Sequence, residues 1–184
     1  MEFLHEECEQ LSLIDFVYAA AVFEEKSPLA DLIHRYKYDF SREVADVLLG
    51  LFDGIFAELT AAGKTMGIIL VPVPLHKRRI NFRGFNQSEV LAQKLSAKFG
   101  VKMQNLLTRH RYTQPQVELS KEHRLTNLHG AFSLAKSAGE IDQNALHLLV
   151  DDVCTTGSTL NECAKALKGC GVKRVGGLVI AKAV

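Results

Sequence analysis

From residue 28 to residue 59 apolar side chains return every three or four positions: Leu29, Leu32, Ile33 and Tyr36, then Val44, Val47, Leu48, Leu51, Phe52, Ile55, Phe56 and Leu59. A helix brings residues at that spacing onto one face, so the pattern predicts two helices, with Ser41 as N-cap of the second. At Gly67 the period disappears. Gly67-Ile68-Ile69-Leu70-Val71-Pro72-Val73-Pro74 is an unbroken apolar run, rich in β-branched residues and ended by prolines, as expected of a strand covered on both faces of a parallel sheet. Helical spacing resumes from Asn86 to Phe99 through Val90, Leu91, Leu95 and Phe99. Residues 101–107 and 131–134 predict short strands, His147-Leu148-Leu149-Val150 a strong one, residues 158–170 a helix and residues 172–184 a closing strand. Strands alternating with helices imply an α/β fold with a mostly parallel, twisted sheet flanked by helices. Residues 1–27 are acidic and weakly periodic and read as a separate small piece, so a small N-terminal helical subdomain is expected over 1–62 and the α/β domain over 63–184. Residues 108–124 are polar, contain Pro115 and read as a long loop, a length that in compact domains is usually functional or mobile.

Composition narrows the class. The chain has 184 residues, 47% hydrophobic and 23% charged, with four cysteines, which is ordinary globular arithmetic and calls for no disulfide framework. No apolar run approaches the 18 or so residues of a membrane span. The start, Met1-Glu2-Phe3-Leu4-His5-Glu6-Glu7, is acidic where a signal peptide is basic, so a cytoplasmic location with reduced thiols is expected. The net charge of +1 conceals a strong polarity: residues 76–124 hold eleven basic and three acidic residues, or +8, and the rest of the chain is −7. A basic segment of that size suits an anionic partner such as phosphate, pyrophosphate or nucleic acid, unless its counter-charges lie nearby in space.

Chemistry concentrates in Leu148-Leu149-Val150-Asp151-Asp152-Val153-Cys154-Thr155-Thr156-Gly157-Ser158-Thr159-Leu160, an apolar strand followed by two acids, a hydroxyl-rich turn and a helix. Ligands of open α/β sheets sit beyond the carboxyl ends of the strands, where this turn falls. Amides at the start of the helix, the hydroxyls of Thr155, Thr156, Ser158 and Thr159, and the backbone freedom of Gly157 make an anion site, while Asp151 and Asp152 suit the hydroxyls of a sugar. The plainer reading is a helix cap, which needs fewer hydroxyls than are present.

This segment resembles the 5-phosphoribosyl-1-pyrophosphate (PRPP) signature of type I phosphoribosyltransferases. The resemblance implies that fold, with Thr155, Thr156, Gly157, Ser158 and Thr159 on the 5′-phosphate, and Asp151 and Asp152 on the ribose 2′- and 3′-hydroxyls. Val71-Pro72-Val73-Pro74-Leu75-His76-Lys77-Arg78-Arg79, Phe82-Arg83-Gly84-Phe85-Asn86-Gln87-Ser88, Arg109-x-Arg111-x-Thr113-x-x-Gln116-x-x-Leu119-Ser120 and Arg124-x-x-Asn127-x-x-Gly130-Ala131-Phe132 resemble the ComF family, phosphoribosyltransferase-like proteins of bacterial competence. The resemblance runs from about Leu32 to the C-terminus and implies a role in DNA uptake, with PRPP, single-stranded DNA and competence proteins as partners.

The implied enzyme is a Mg²⁺-dependent phosphoribosyltransferase of the glycosyltransferase class with an unidentified acceptor. His76, Lys77, Arg78 and Arg79 would form its pyrophosphate loop. Arg109, Arg111, Lys121 and Arg124 would lie on a catalytic flexible loop that closes over substrate. Mg²⁺ would be carried by the ligand's oxygens with no dedicated protein ligands. The first sixty residues would be the variable hood that selects the acceptor. Arg83, Phe85, Asn86 and Gln87 are candidate single-strand contacts, with Phe85 or Phe82 stacking on a base, although Asn86 could equally be an N-cap and Phe85 a core residue. Lys37 lies in a matching stretch without an assigned chemistry. The family's four-cysteine zinc ribbon is reduced here to His5 and Cys8, so no structural zinc is expected. The alternatives are a DNA-binding adaptor without transferase activity and a nucleobase salvage enzyme.

Overall fold

The computed structural model describes residues 2–3, 12–38, 43–61, 67–112 and 129–183. Its centre is a six-stranded sheet in the order β1-β2-β8-β7-β3-β4, formed by β1 (Glu2–Phe3), β2 (Phe16–Phe23), β3 (Ile68–Pro72), β4 (Lys102–Met103), β7 (Leu146–Cys154) and β8 (Arg174–Ala183). All neighbours are parallel except β1, which runs antiparallel to β2. The long strands are buried on both faces because helices cover both. Leu70, Leu148, Val150 and Ile180 meet one core with Ile33, Leu48, Phe52, Phe56, Leu91 and Leu95. Ile69, Val71, Leu149 and Val179 meet the other with Leu160, Cys163 and Leu167. The alternation of adjacent residues between the two cores is the period of two expected of a strand.

The helices are α1 (Pro28–Tyr38), α2 (Val44–Leu49), α3 (Asp53–Ala61), α4 (Lys77–Arg83), α5 (Gln87–Phe99) and α6 (Ser158–Lys168). The second predicted helix of the 28–59 region is two helices separated by a 3₁₀ turn at Gly50–Phe52, and Ser41 lies outside the described residues. Glycine is a poor helix former, and Gly50 and Gly54 fall at this junction. Residues 101–107 divide between β4 and the start of β5 (Leu107–Arg109), which pairs antiparallel with β6 (Phe132–Leu134) in a separate small sheet.

Two expectations need correction. Residues 16–23 are not part of a separate N-terminal piece: β2 pairs with β8 over its length, so β8 is an inner strand rather than a closing one. The run Phe-Val-Tyr-Ala-Ala-Ala-Val-Phe alternates too weakly to announce a strand whose neighbours lie at the far end of the chain. The helices before residue 62 also share the core of the sheet. Among the described residues no helix is long and apolar enough to cross a membrane.

Candidate functional site

β7 carries the chain past Val150 through Asp151, Asp152 and Val153 to Cys154, and residues 155–157 turn before α6 begins. Gly157 is the N-cap at φ +76°, in the left-handed region that favours glycine. A glycine at this position has no side chain with which to cap α6. The Thr156 and Ser158 hydroxyls meet at 2.8 Å, and the Ser158 amide lies 3.4 Å from Thr156 Oγ1. The turn lines an open, shallow recess with Asp151 and residues 153–160 around it. It combines a helix N-terminus with neutral hydroxyl donors, a suitable seat for a phosphate. Cys154 and Cys163 are buried packing residues, and burial, then the charge of Asp151, holds the Cys163 thiol well above its usual range.

Of the acid pair on β7, Asp151 lines this recess and Asp152 follows it in the strand. Asp151 Oδ1 accepts the Ser88 hydroxyl at 3.0 Å and the Asp152 amide at 2.9 Å. Burial, and next the charge of Asp152, pushes its carboxyl up to about 7. Asp152 Oδ1 accepts the Val153 amide at 2.6 Å and pairs with Lys37 Nζ at 3.0 Å. Both acids are therefore held in place before any ligand arrives.

After β3 the structure departs from the expected loop. His76 N-caps α4, its Nδ1 accepting the Arg78 amide at 3.2 Å, so Lys77, Arg78 and Arg79 stand on the first turn of a helix. An imidazole that accepts a backbone amide replaces the usual Ser or Asp cap, which hides the helix start from the pattern. Burial, and then Arg109 and Arg78, depresses the His76 pKa. Arg79 is also lowered, by burial and by Arg83. Arg78 lies 5.2 Å from the Tyr112 ring centroid.

The Arg83-Gly84-Phe85-Asn86-Gln87-Ser88 segment is scaffold more than surface. Phe85, Asn86 and Gln87 are buried, which removes them from direct base contact and overturns the stacking role of Phe85; its ring packs on Tyr36 at 6.2 Å. Asn86 holds the N-cap position of α5 without capping it, because its Nδ2 instead donates to the Val73 carbonyl at 3.0 Å. The Tyr36 hydroxyl donates to the Gln87 carbonyl at 2.6 Å, and Arg83 donates to Gln87 Oε1 at 3.2 Å. Phe82 is the exposed ring of the segment, at 73% exposure.

Of the four residues expected on a closing loop, Arg109 belongs to β5, is buried and stacks at 5.2 Å over Phe132. Burial, then Arg79, brings its pKa down to about 10. Arg111 donates to the His129 carbonyl at 3.0 Å. Lys121 and Arg124 lie outside the described residues, as do His5 and Cys8. The site thus gathers the turn after β7, Asp151, Asp152, Arg79 and Arg109. It also gathers two residues to which sequence reasoning assigns no role, Lys37 and Ser88. Their signal is positional: Lys37 stands in the last turn of α1 and Ser88 ends the Phe82–Ser88 motif.

The phosphoribosyl transferase domain profile matches residues 86–183. The chain is 37% identical over 153 residues to competence protein F of Haemophilus influenzae, covering 80% of this chain and 65% of that protein. It is 40% identical over 146 residues to DNA utilization protein YhgH of Escherichia coli K12, covering 76% and 61%. The chain therefore spans somewhat under two thirds of the length of these relatives. An adenine phosphoribosyl transferase structure from Trypanosoma brucei superposes with a TM-score of 0.46 at 12% identity, covering 88% of this chain and 82% of that one.

Proposed function

The chain belongs to the phosphoribosyl transferase domain family, among the homologues of competence protein F, and on that premise we propose that its site binds PRPP with Mg²⁺ and serves DNA uptake. One observation carries the reading: a buried strand runs through two fixed carboxylates straight into a hydroxyl-lined helix N-terminus whose N-cap is a glycine. In this reading the 155–159 turn takes the 5′-phosphate with backbone amides and hydroxyls, adding no charge. Asp151 and Asp152 accept the ribose 2′- and 3′-hydroxyls, with Ser88 holding Asp151 in register. Arg79 and Arg109 supply positive charge toward the pyrophosphate, Arg79 from α4 and Arg109 from β5.

Among the described residues no cluster of three or more His, Cys, Asp or Glu could cage a metal, and the oxygens present are hard carboxylates and hydroxyls. That donor set fits a Mg²⁺ carried in by its ligand. The ion would neutralise charge on the departing pyrophosphate. Transfer breaks the C1–oxygen bond, with the electron pair leaving on pyrophosphate, as the acceptor forms its bond to C1. The chain's part is to orient the ribose, hold the phosphates and stabilise the leaving charge.

Calorimetric titration with PRPP and Mg²⁺ tests this reading. Binding that Thr156→Ala weakens at least about tenfold supports it, since a phosphate hydrogen bond contributes on that scale. No binding, or binding indifferent to Thr156→Ala, overturns it.

A second observation favours a single-strand contact beside the pocket. Tyr38, Phe82 and Tyr112 are exposed, Arg78 stacks on Tyr112, and Arg83 lies 5.0 Å from the Tyr38 ring centroid. Aromatic rings interleaved with arginines suit stacked bases and a phosphate backbone. A single-stranded oligonucleotide should bind with an affinity that falls steeply with salt and weakens on Phe82→Ala. A flat salt response sinks this contact and leaves the pocket reading intact.

A further inference from the structure

Three consecutive residues at the end of α1 each hold a different part of the site. Tyr36 donates to the Gln87 carbonyl at the start of α5, Lys37 pairs with Asp152 at 3.0 Å, and Tyr38 receives the Arg83 guanidinium over its ring. Lys37 and Asp152 retain 23% and 14% side-chain exposure, so the pair is close to solvent without being a loose surface contact. The neighbourhood is over-supplied with cations. Lys37, Arg79 and Arg109, from three separate elements, act on Asp151 and Asp152. Asp151 titrates near 7, so at neutral pH the two acids carry less than two full negative charges against three positive ones. A site with that imbalance is completed by an anion.

We propose that Lys37 is a pyrophosphate-binding residue of this site, held on Asp152 when the site is empty and transferred to the ligand's phosphate oxygens when the ribose hydroxyls take Asp152. The inference rests on the PRPP reading above. Its logic is one of exchange. Asp152 Oδ1 already accepts the Val153 amide and the Lys37 ammonium, so a ribose hydroxyl seated on that oxygen displaces one of them, and the side chain can move where the backbone cannot. A displaced ammonium on a side chain that is three quarters buried needs a new partner. A ligand with both a diol and a pyrophosphate provides it, whereas a diol alone leaves the charge stranded. Lysine suits the task better than arginine, because its compact charge rides on a flexible stem of four carbons. Arg109 is buried and, with Arg79, supplies the fixed part of the field.

The exchange makes a selective prediction. Titrations of wild type, Lys37→Met and Lys37→Arg use three probes: PRPP with Mg²⁺, inorganic pyrophosphate with Mg²⁺, and ribose 5-phosphate. Lys37→Met should weaken PRPP at least about tenfold, the scale of one charge-assisted hydrogen bond, and weaken pyrophosphate less, because pyrophosphate brings no ribose hydroxyls to release Lys37 from Asp152. It should leave ribose 5-phosphate unchanged or tighter, because Asp152 no longer has to be released. Lys37→Arg should recover part of the PRPP loss. Lys37→Met that leaves PRPP unchanged, or that weakens ribose 5-phosphate as much as PRPP, overturns the proposal, the second result meaning that Lys37 only holds Asp152 in position. Wild type that binds ribose 5-phosphate through Thr156 while Lys37→Met shows no selectivity defeats this inference alone. Wild type that binds none of the three probes defeats it together with the reading it rests on.

Discussion

The turn after β7 and the segment after β3 leave the same end of two hydrogen-bonded neighbours in the sheet, yet they are built in opposite ways. The turn is local. Its bonds join residues one or two apart, such as Thr156 to Ser158 and the Asp152 amide to Asp151, and its hydroxyls carry no charge. The segment is assembled from a distance: Asn86 reaches back 13 residues to Val73, Gln87 is held by Tyr36 from 51 away, and Ser88 meets Asp151 across 63. A local turn can lose its ligand through one residue while the fold stands. A segment held by distant partners should lose stability first.

Gly157→Val tests the first half of that contrast and carries the largest expected effect. At φ +76° a β-branched residue is forced into the left-handed region, at about 1–2 kcal/mol, and the turn escapes the strain by re-aiming its amides. Affinity for PRPP with Mg²⁺ should fall about a hundredfold or more, near 3 kcal/mol, while stability in a denaturant titration falls by no more than the strain. Wild-type affinity in this variant would mean that the turn does not hold the phosphate.

Tyr36→Phe tests the other half. Removing the hydroxyl leaves the Gln87 carbonyl buried without that 2.6 Å donor, so stability should drop by about 1–3 kcal/mol. Affinity for PRPP should change less than it does in Gly157→Val. A loss of affinity larger than the loss of stability would move the segment after β3 from scaffold to ligand contact.

The same contrast explains what the sequence discloses. The strand, acids and hydroxyl turn from Leu148 to Leu160 are consecutive, so their chemistry is legible from spacing alone, as are the two-faced burial of Ile68–Pro72 and the helix over Gln87–Phe99. What stays hidden depends on partners far along the chain. His76 as a cap and Asn86 as a tether to Val73 have no local signature. β2 becomes a strand by pairing with β8, more than 150 residues away. The resemblance implies a pyrophosphate loop at His76–Arg79, yet Lys77, Arg78 and Arg79 stand on one helical turn and present their charges in different directions.

Asp151 joins the two regions, since Ser88 of α5 bonds it and it lines the recess of the turn. Its carboxyl moves from an ordinary 3.8 to about 7 in the fold, so between those values the folded protein keeps a proton that the unfolded chain has lost. Stability contributed at this position should therefore fall as pH rises from about 4 to about 7 and level off above. Asp151→Asn removes that loss, so the variant's melting temperature should gain on wild type across the window. Taking the difference between the two proteins cancels other titrating groups such as His147, whose burial-lowered pKa acts in the opposite direction. Ligand affinity in wild type should rise over the same interval, because the ionised carboxylate is the better acceptor for ribose hydroxyls. A melting difference independent of pH would show that Asp151 is already ionised in the fold, and that Ser88 and the Asp152 amide suffice to hold its charge.

The smallest effect separates packing from charge as the anchor of the segment after β3. On one face of α5, Leu91 and Leu95 are fully buried against the sheet; on another, Lys94 pairs with Asp46 and Lys98 with Asp53. Both acids are more than half exposed, so each pair should contribute only about 0.2–1 kcal/mol and be screened by salt. Leu91→Ala, by contrast, should cost about 2–5 kcal/mol through lost burial and the cavity it leaves. The double variant Lys94→Ala/Lys98→Ala should therefore unfold within about 2 kcal/mol of wild type in low salt and closer still in high salt. Its affinity for PRPP should be unchanged, since neither lysine touches the site. A larger, salt-sensitive loss would mean that ion pairs to α2 and α3 hold α5, and through Ser88 the acid pair, in place. The two regions would then differ in where their charges sit rather than in how far their contacts reach.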